Sequence, residues 1–210
     1  MALVFDGDGT ITGISVGGLP DGIVDTDMLA TNAVSAAKLQ STAIAAGDLP
    51  TGSILQVKSA TKTGIQQYTD TAGTKTDITD LSIDITPTTS GNKLYITGFV
   101  SLGMDADTAA SILINVGGTE VGSASTAGNR RLGHSGIGYQ NDAFATYTIF
   151  PLSINYLHTT SGTSQITVKI QMMQGDTTNG DIYVNRSRND SDSVFLTRQV
   201  STLTVMEVAA

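Results

Sequence analysis

The apolar and polar positions divide the chain into three regions with different patterns. Residues 1–22 begin with a short β-type run, Ala2 to Phe5, followed by DGDGT and a stretch so rich in glycine that a packed helix is not expected. Residues 23–52 repeat apolar side chains every five positions, whereas residues 53–210 alternate apolar and polar positions in short runs. We therefore predict an N-terminal segment, a repeat region and a β-rich domain.

The repeat region has a period of ten. Its apolar positions are Val24, Leu29, Val34, Leu39, Ile44 and Leu49. Five residues correspond to about 500° on a helix, so successive members of this set lie about 140° apart and share no face. On a strand the two halves of the set point to opposite sides, and the period of a coiled coil is seven. No single regular element therefore keeps these six side chains together.

A compound unit explains the period better. Each ten-residue unit begins with a residue able to cap a helix and continues as one or two helical turns of alanine-rich sequence. In TAIAAGDLP, Gly47 and Pro50 are expected to stop the turn. Helices this short are marginal in water, so copies of the chain alongside must cover the six apolar residues. We predict a shaft in which these six residues contact neighbouring chains, and the alternative is a flexible linker.

Residues 53–210 have a β pattern almost throughout. β-branched and aromatic runs of five to ten residues are separated by turn-forming segments such as TTSGN, TTSGTS and GDTTNGD. Gly117 and Gly118 are expected to form a two-residue hairpin turn. About eight strands without a long helical pattern predict an antiparallel sandwich that is jelly-roll-like.

Alternation within the strands predicts which side chains face the core. We expect one face to contain Leu94, Ile96, Gly98, Ile166, Val168 and Ile170. The opposite face is expected to contain Tyr95, Thr97, Phe99, Thr167, Lys169 and Gln171. Leu203, Val205 and Val208 indicate a buried final strand.

Composition and charge narrow the function classes. A content of 40% hydrophobic and 14% charged residues is typical of a folded chain and not of a charged disordered one. The net charge of −8 and the small basic pairs argue against binding to nucleic acid, which requires clustered Lys and Arg. Without cysteine, disulfides and thiolate chemistry are excluded.

The sequence also offers little catalytic chemistry. His134 and His158 are the only histidines and lie in no metal-binding spacing, and GHSGIG lacks the spacing of a nucleophile elbow. We therefore expect no enzyme activity, no cofactor and no metal. Calcium binding by DGDGT or by NDSDS, with Asp190 and Asp192, is the alternative to a solvated turn. No signal peptide or run of about 20 apolar residues is present, so we expect synthesis in the cytoplasm and no membrane insertion.

The repeat NAVSAAKLQS resembles the tandem units in the shafts of phage tail-fibre proteins. Several later segments are similar to a domain of virion proteins from marine and cyanobacterial phages: GSILQV, LSIDITPTTSGNKLYI, PLSINYL, YVNRSRNDSDS and STLTVMEVAA. The resemblance implies a homotrimeric fibre of the virion. Residues 1–22 would attach to other virion proteins, residues 23–52 would form the shaft, and residues 53–210 would form a head that binds a host-surface polysaccharide or other receptor.

Six residues are candidates for receptor contact because we expect them to lie on the surface of the head. They are Arg130, Arg131, Tyr139, Asn185, Arg186 and Arg188. The alternative function is a capsid-decorating, head-fibre or adaptor protein without a receptor. A glycan depolymerase is a third hypothesis, but it requires an acidic pair in a groove.

Overall fold

The structure is a computed structural model that describes residues 4–5, 11–12, 31, 34–35, 44–69, 71–126, 128–140, 146–175 and 180–210. The chain divides into two compact units, Met1–Ala45 and Ala46–Ala210.

The described part of the first unit contains one pair of strands. β1 (Val4–Phe5) pairs antiparallel with β2 (Ile11–Thr12), so two short strands flank DGDGT. The turn itself lies outside the described residues, as do Val24, Leu29 and Leu39. Val34 and Ile44 are more than half exposed, so residues of their own chain do not cover them. Their contact with neighbouring chains stays a prediction.

The second unit begins with a short 3-10 helix, Ala46–Asp48. The predicted helical turn is therefore present here, but Gly47 lies inside it and does not stop it. Leu49 follows the helix and is exposed, so its predicted contact with another chain also stays a prediction.

The described residues of the second unit contain eleven further strands. They are β3 (Ile54–Lys62), β4 (Gln66–Tyr68), β5 (Lys75–Ile85), β6 (Lys93–Met104), β7 (Thr108–Val116), β8 (Thr119–Val121), β9 (Ser135–Gln140), β10 (Phe150–Thr159), β11 (Ile166–Gln174), β12 (Ile182–Val184) and β13 (Ser201–Val208). Gly117 and Gly118 have positive φ angles of 58° and 89° between β7 and β8, which confirms the predicted hairpin.

The strands form two antiparallel sheets. The larger sheet has the order β3-β13-β6-β10, and β12 and β4 continue it beyond the end of β13. The smaller sheet has the order β5-β11-β7. On the free edge of β7, β9 pairs with the first part of the strand and β8 with its last part. The eight main strands, numbered 1 to 8 along the chain, are β3, β5, β6, β7, β9, β10, β11 and β13. In this numbering the sheets read 1-8-3-6 and 2-7-4-5. This order is that of a jelly roll, so the predicted fold class is confirmed.

The core lies between the two sheets. The predicted alternation in β6 and β11 is confirmed, because Leu94, Ile96, Val168 and Ile170 are all buried. Along one side of the sandwich, polar side chains of β3 reach across to β5: Gln56 donates to Thr86 O at 2.7 Å and Lys58 donates to Asp84 O at 2.5 Å. These bonds satisfy backbone carbonyls at the edge of β5 and connect the sheets.

The sandwich has two distinct ends. At the entry end, Gly52 N donates to Ala209 O and Ala209 N donates to Ser53 O, each at 2.9 Å, so the chain enters and leaves the fold together. At the opposite end, which we term the distal end, lie the β6–β7 turn at 105–107 and the long segment 185–200 between β12 and β13. The pairing of β13 with β6 fixes this arrangement, since Val208 lies opposite Lys93 and Thr202 opposite Phe99.

The last strand differs from its prediction in one respect. Leu203 and Val205 are buried as expected, but the next inward residue is Glu207, and Val208 lies on the outer face after a bulge. The Glu207 carboxylate accepts bonds from Gln56 Nε2 at 2.6 Å, Thr88 N at 2.7 Å and Asn92 Nδ2 at 2.7 Å. Burial raises the pKa of this carboxyl, but the hydrogen bonds outweigh burial and lower it below the ordinary value.

Replacement of this carboxylate tests the network. We expect Glu207→Gln to lower the free energy of unfolding at pH 7 by about 1–3 kcal/mol, because buried donors lose a charged acceptor. The native pKa lies below the unfolded value of about 4.3, so the carboxylate stabilises the fold above that pH and ceases to do so as pH falls through the native pKa. Urea unfolding of both proteins between pH 7 and pH 3 should show the difference shrinking in acid.

Glu120→Gln is the matched control. Glu120 also has a lowered pKa and pairs with Lys75, but the pair is partly exposed, so its loss should cost less than about 1 kcal/mol. Equal effects of the two substitutions would contradict the importance of burial at Glu207.

Candidate functional site

Residue 185 begins the longest described irregular segment of the distal end. Asn185 has a φ of 64°, a conformation that most side chains disfavour, and it is fully buried. Its Nδ2 donates to Lys62 O and Gly64 O, both at 2.9 Å, and its Oδ1 accepts from Ser201 Oγ at 2.6 Å. The Asn185 side chain therefore ties the segment to the ends of β3 and β13.

The next residue is also part of the framework. Arg186 is buried, with its guanidinium 4.1 Å from the centre of the Tyr183 ring. Its Nη1 donates to Arg188 O and its Nη2 to Gln67 Oε1, each at 2.9 Å. The Arg186 guanidinium thus holds the start of the segment against β4 and β12.

The β6–β7 turn anchors the same segment from the other side. Asp105 accepts from Arg188 Nε at 3.0 Å and from the Tyr183 hydroxyl at 2.8 Å. Burial, together with the bond to Asp105, raises the pKa of Tyr183 far above its ordinary value. Tyr183 therefore remains a neutral phenol that can donate to Asp105 throughout the physiological range.

Residues 189–199 are braced at their base. Gln199 N donates to Asn185 O and Asn189 N donates to Thr146 O, both at 3.0 Å. Arg198 binds Asp190 with two parallel bonds, Nε to Oδ1 at 3.0 Å and Nη2 to Oδ2 at 2.8 Å. Both oxygens of Asp190 are thereby used, and no group of three metal-ligating side chains occurs among the described residues.

The braced segment exposes two large apolar residues. Val194 is 94% and Phe195 is 90% exposed, and a polar cleft of about 310 Å³ lies beside them. The cleft is lined by Asn189, Asp190, Ser191, Asp192, Ser193, Leu196, Thr197 and Arg198. Burying a side chain such as Phe or Val contributes about 1.5–3 kcal/mol of stabilising free energy. The single chain does not obtain this free energy from Val194 and Phe195, but a partner that covers them would.

A second exposed region lies on the smaller sheet. Arg130 and Arg131 precede β9 and line a shallow groove with Ser111 and Asn129. The Tyr139 hydroxyl donates to Asp107 Oδ1 at 2.8 Å while its ring is more than half exposed. The β6–β7 turn thus contacts both regions, through Asp105 and through Asp107.

The six candidates for receptor contact fall into two groups. Arg130, Arg131, Tyr139 and Arg188 lie on the surface as expected, and their contact with a receptor stays a prediction. The expected surface position is wrong for Asn185 and Arg186, because both side chains are buried and make hydrogen bonds within the fold. Sequence reasoning missed Val194 and Phe195, although two adjacent large apolar residues in an otherwise polar stretch are a recognisable pattern.

His134 has a clear role in the framework. Its Nδ1 lies 3.0 Å from Gly122 O and its Nε2 accepts from Asn155 N at 3.1 Å. The acceptor role of Nε2 leaves the proton on Nδ1. The imidazole thus satisfies an N–H of β10, the edge strand of the larger sheet.

Comparisons with known proteins find matches among solved structures but not among family models or curated proteins. No protein-family model and no curated protein matches the chain. Among solved structures, it is similar to infectious bursal disease virus Gx strain, with 17% identity and a TM-score of 0.38, and to the VP2 subviral particle of that virus, with 16% identity and the same TM-score. Each match covers 74% of this chain, which spans 37% of the length of the matched viral chain.

The described part of the chain contains no helix with the length and apolar character of a membrane span.

Substitutions at Asn185 test its role in the framework. Asn185→Gly tolerates the positive φ but removes the bonds to three partners, of which Lys62 and Ser201 are buried, so we expect a loss of about 2–4 kcal/mol in the free energy of unfolding. Asn185→Ala should lose about 1 kcal/mol more because alanine is strained at this φ. Chemical denaturation measures both losses.

The same pair of substitutions at Asp107 provides the control. Asp107 also has a positive φ, of 63°, but it is exposed, and its carboxylate accepts a bond from the exposed Tyr139. The gap between Gly and Ala should recur there without the larger loss. A fully stable Asn185→Gly variant would contradict the framework role.

Proposed function

We propose that this chain is a structural component of a bacteriophage virion, a short homotrimeric fibre whose head, residues 53–210, binds a host-surface receptor or glycan. The resemblance of the ten-residue repeats to phage fibre shafts supports the fibre. The observation that supports binding is the pair Val194 and Phe195, held almost fully exposed on a braced segment.

The position of this segment fits attachment to a host. The chain enters the head beside its own C-terminus, where Gly52 and Ala209 are hydrogen-bonded, and the 185–200 segment lies at the opposite end. A fibre connected to a virion through its N-terminal residues would present this distal end outward. Loops on a rigid β scaffold are the common location of binding residues.

The bracing reduces the cost of binding. The paired bonds between Arg198 and Asp190, and the Asn185 hydrogen bonds, order the base of the segment before any partner arrives. Less conformational entropy is then lost on association. An aromatic residue beside a polar cleft is suited to a saccharide, whose ring stacks on Phe195 while its hydroxyls bond to cleft side chains. Repetition in three copies would strengthen a weak site through avidity.

The geometry favours binding over catalysis. His134, which a catalytic triad would need as base, directs both ring nitrogens to backbone groups of Gly122 and Asn155. Asp190, an acidic residue of the cleft, is paired with Arg198. We therefore propose that the chain acts without enzymatic turnover and without a cofactor.

Adhesion measurements test this function. Labelled full-length protein should adhere to host cells, and Phe195→Ser should weaken the apparent affinity about tenfold or more, as expected for a central aromatic contact. Ile65→Ser is the control, since Ile65 is also exposed at the distal end but lies outside the segment. Periodate treatment of the cells, which destroys sugar diols, should abolish adhesion if the receptor is a glycan.

Two outcomes would contradict receptor binding. Equal adhesion of the Phe195→Ser variant and the parent would exclude this segment as the binding site. A parent protein that remains attached to phage particles but does not adhere to host cells would favour the alternative, a capsid-decorating or adaptor protein.

A further inference from the structure

The outer face of the larger sheet contains a continuous apolar row. The strand registers place Met206 opposite both Val57 and Tyr95, and Tyr95 opposite Leu157. These four residues belong to β3, β13, β6 and β10, so the row crosses the four main strands of the sheet. Directly opposed side chains on one face lie about 4.5–5.5 Å apart at Cβ, which makes the row contiguous.

The row points away from the core. Leu94 and Ile96, on either side of Tyr95, are buried in the core, so the alternation of the strand turns Tyr95 outward. Val57 is 55% and Leu157 is 54% exposed, at the two edges of the sheet. Strand pairing leaves both of them in solvent in the single chain.

The rest of this face has almost no charge. The neighbouring rows are Ile54, Val208, Lys93 and Thr159, then Ser59, Thr204, Thr97 and Asn155, then Thr61, Thr202, Phe99 and Ser153. Lys93 is the sole charged residue in these four rows, and its Nζ donates to Thr159 Oγ1 at 2.8 Å. Depletion of charge and enrichment in Tyr, Phe and Met are typical of the buried core of a protein interface.

We infer that this face, which we term the outer face, packs against other copies of the same chain. Ile54 and Val57 lie five and eight residues after Leu49, the last position of the repeats. This step rests on the proposed fibre, in which neighbouring copies cover the apolar side chains of the repeats. In each copy, only a few residues therefore separate the repeats from the first residues of the outer face along the chain.

The size of the face is sufficient for such an interface. Four strands about 4.8 Å apart and about eight residues long at about 3.4 Å per residue cover roughly 500 Å². Two faces in contact bury roughly 1,000 Å², which is the lower limit for a specific interface. Contacts along the repeats would add to this area. The inference concerns assembly and does not depend on receptor binding by the distal end.

Single-cysteine labelling tests the inference, because the chain has no cysteine of its own. Val57→Cys places one thiol on the outer face, and Tyr147→Cys places one at a residue that is 59% exposed elsewhere. In the full-length protein, we expect maleimide to label Val57→Cys at least tenfold more slowly than Tyr147→Cys, with equal rates in denaturant. Adding Leu157→Lys to the Val57→Cys variant should restore fast labelling.

Each other outcome would overturn the inference. Equal labelling rates in the native protein would show that the outer face is solvated, as would a molar mass of one chain, 21.7 kDa, by light scattering. Slow labelling that Leu157→Lys does not change would place the protection elsewhere. Protection found in phage particles but not in the purified protein would assign the face to a different virion protein. Host-cell adhesion is measured separately, so failure of receptor binding gives a different pattern.

Discussion

The larger sheet depends on the backbone contacts of β6. This strand pairs with β10 along one edge and with β13 and β12 along the other, so β3 and β4 reach the sheet through β13 and β12. Two glycines permit the close approaches: a Cβ at Gly98 would lie 2.1 Å from Thr202 O, and one at Gly103 would lie 2.3 Å from Arg186 O. Larger residues at these positions would displace β13 and the start of the 185–200 segment. The position of the candidate site therefore depends on the packing of the sheet as well as on the bonds of the loop itself.

The two ends of the sandwich use the same physical solution for different purposes. Each contains a buried polar residue with several hydrogen bonds, Glu207 at the entry end and Asn185 at the distal end. A buried polar group is costly unless it is bonded, so both residues favour one arrangement of the surrounding chain. At the entry end this arrangement holds the C-terminal strand in register. At the distal end it holds a segment whose tip remains exposed, so rigidity and exposure occur within a few residues of each other.

The sequence predicts the parts of the structure that depend on local pattern. Alternation identifies the sandwich and the inward residues of β6 and β11, and Gly117 with Gly118 identifies a hairpin. The same period of two also leads from Leu203 and Val205 to Glu207, but a carboxylate is rarely buried, so the pattern alone does not place it in the core. Polar side chains such as those of Asn185 and Arg186 are likewise mostly exposed in folded proteins. Their burial depends on partners such as Lys62, Ser201 and Gln67, which are distant in sequence and come close only after the strands have paired.

The outer face and the repeats show two forms of one constraint. In the repeats, the period of ten is visible along the chain, yet no residue of a single short unit can cover its apolar side chains. In the sheet, Val57, Met206, Tyr95 and Leu157 come from four strands, and no local pattern reveals that they form a row. Among the described residues, Val34, Ile44 and Leu49 of the repeats and Val57 and Leu157 of the outer face are all exposed in the single chain. The distal end differs because its exposed residues, Val194 and Phe195, are few and are held on a polar loop. Extended apolar rows are suited to permanent association between copies, whereas a small apolar tip beside a polar cleft is suited to a ligand that binds and leaves.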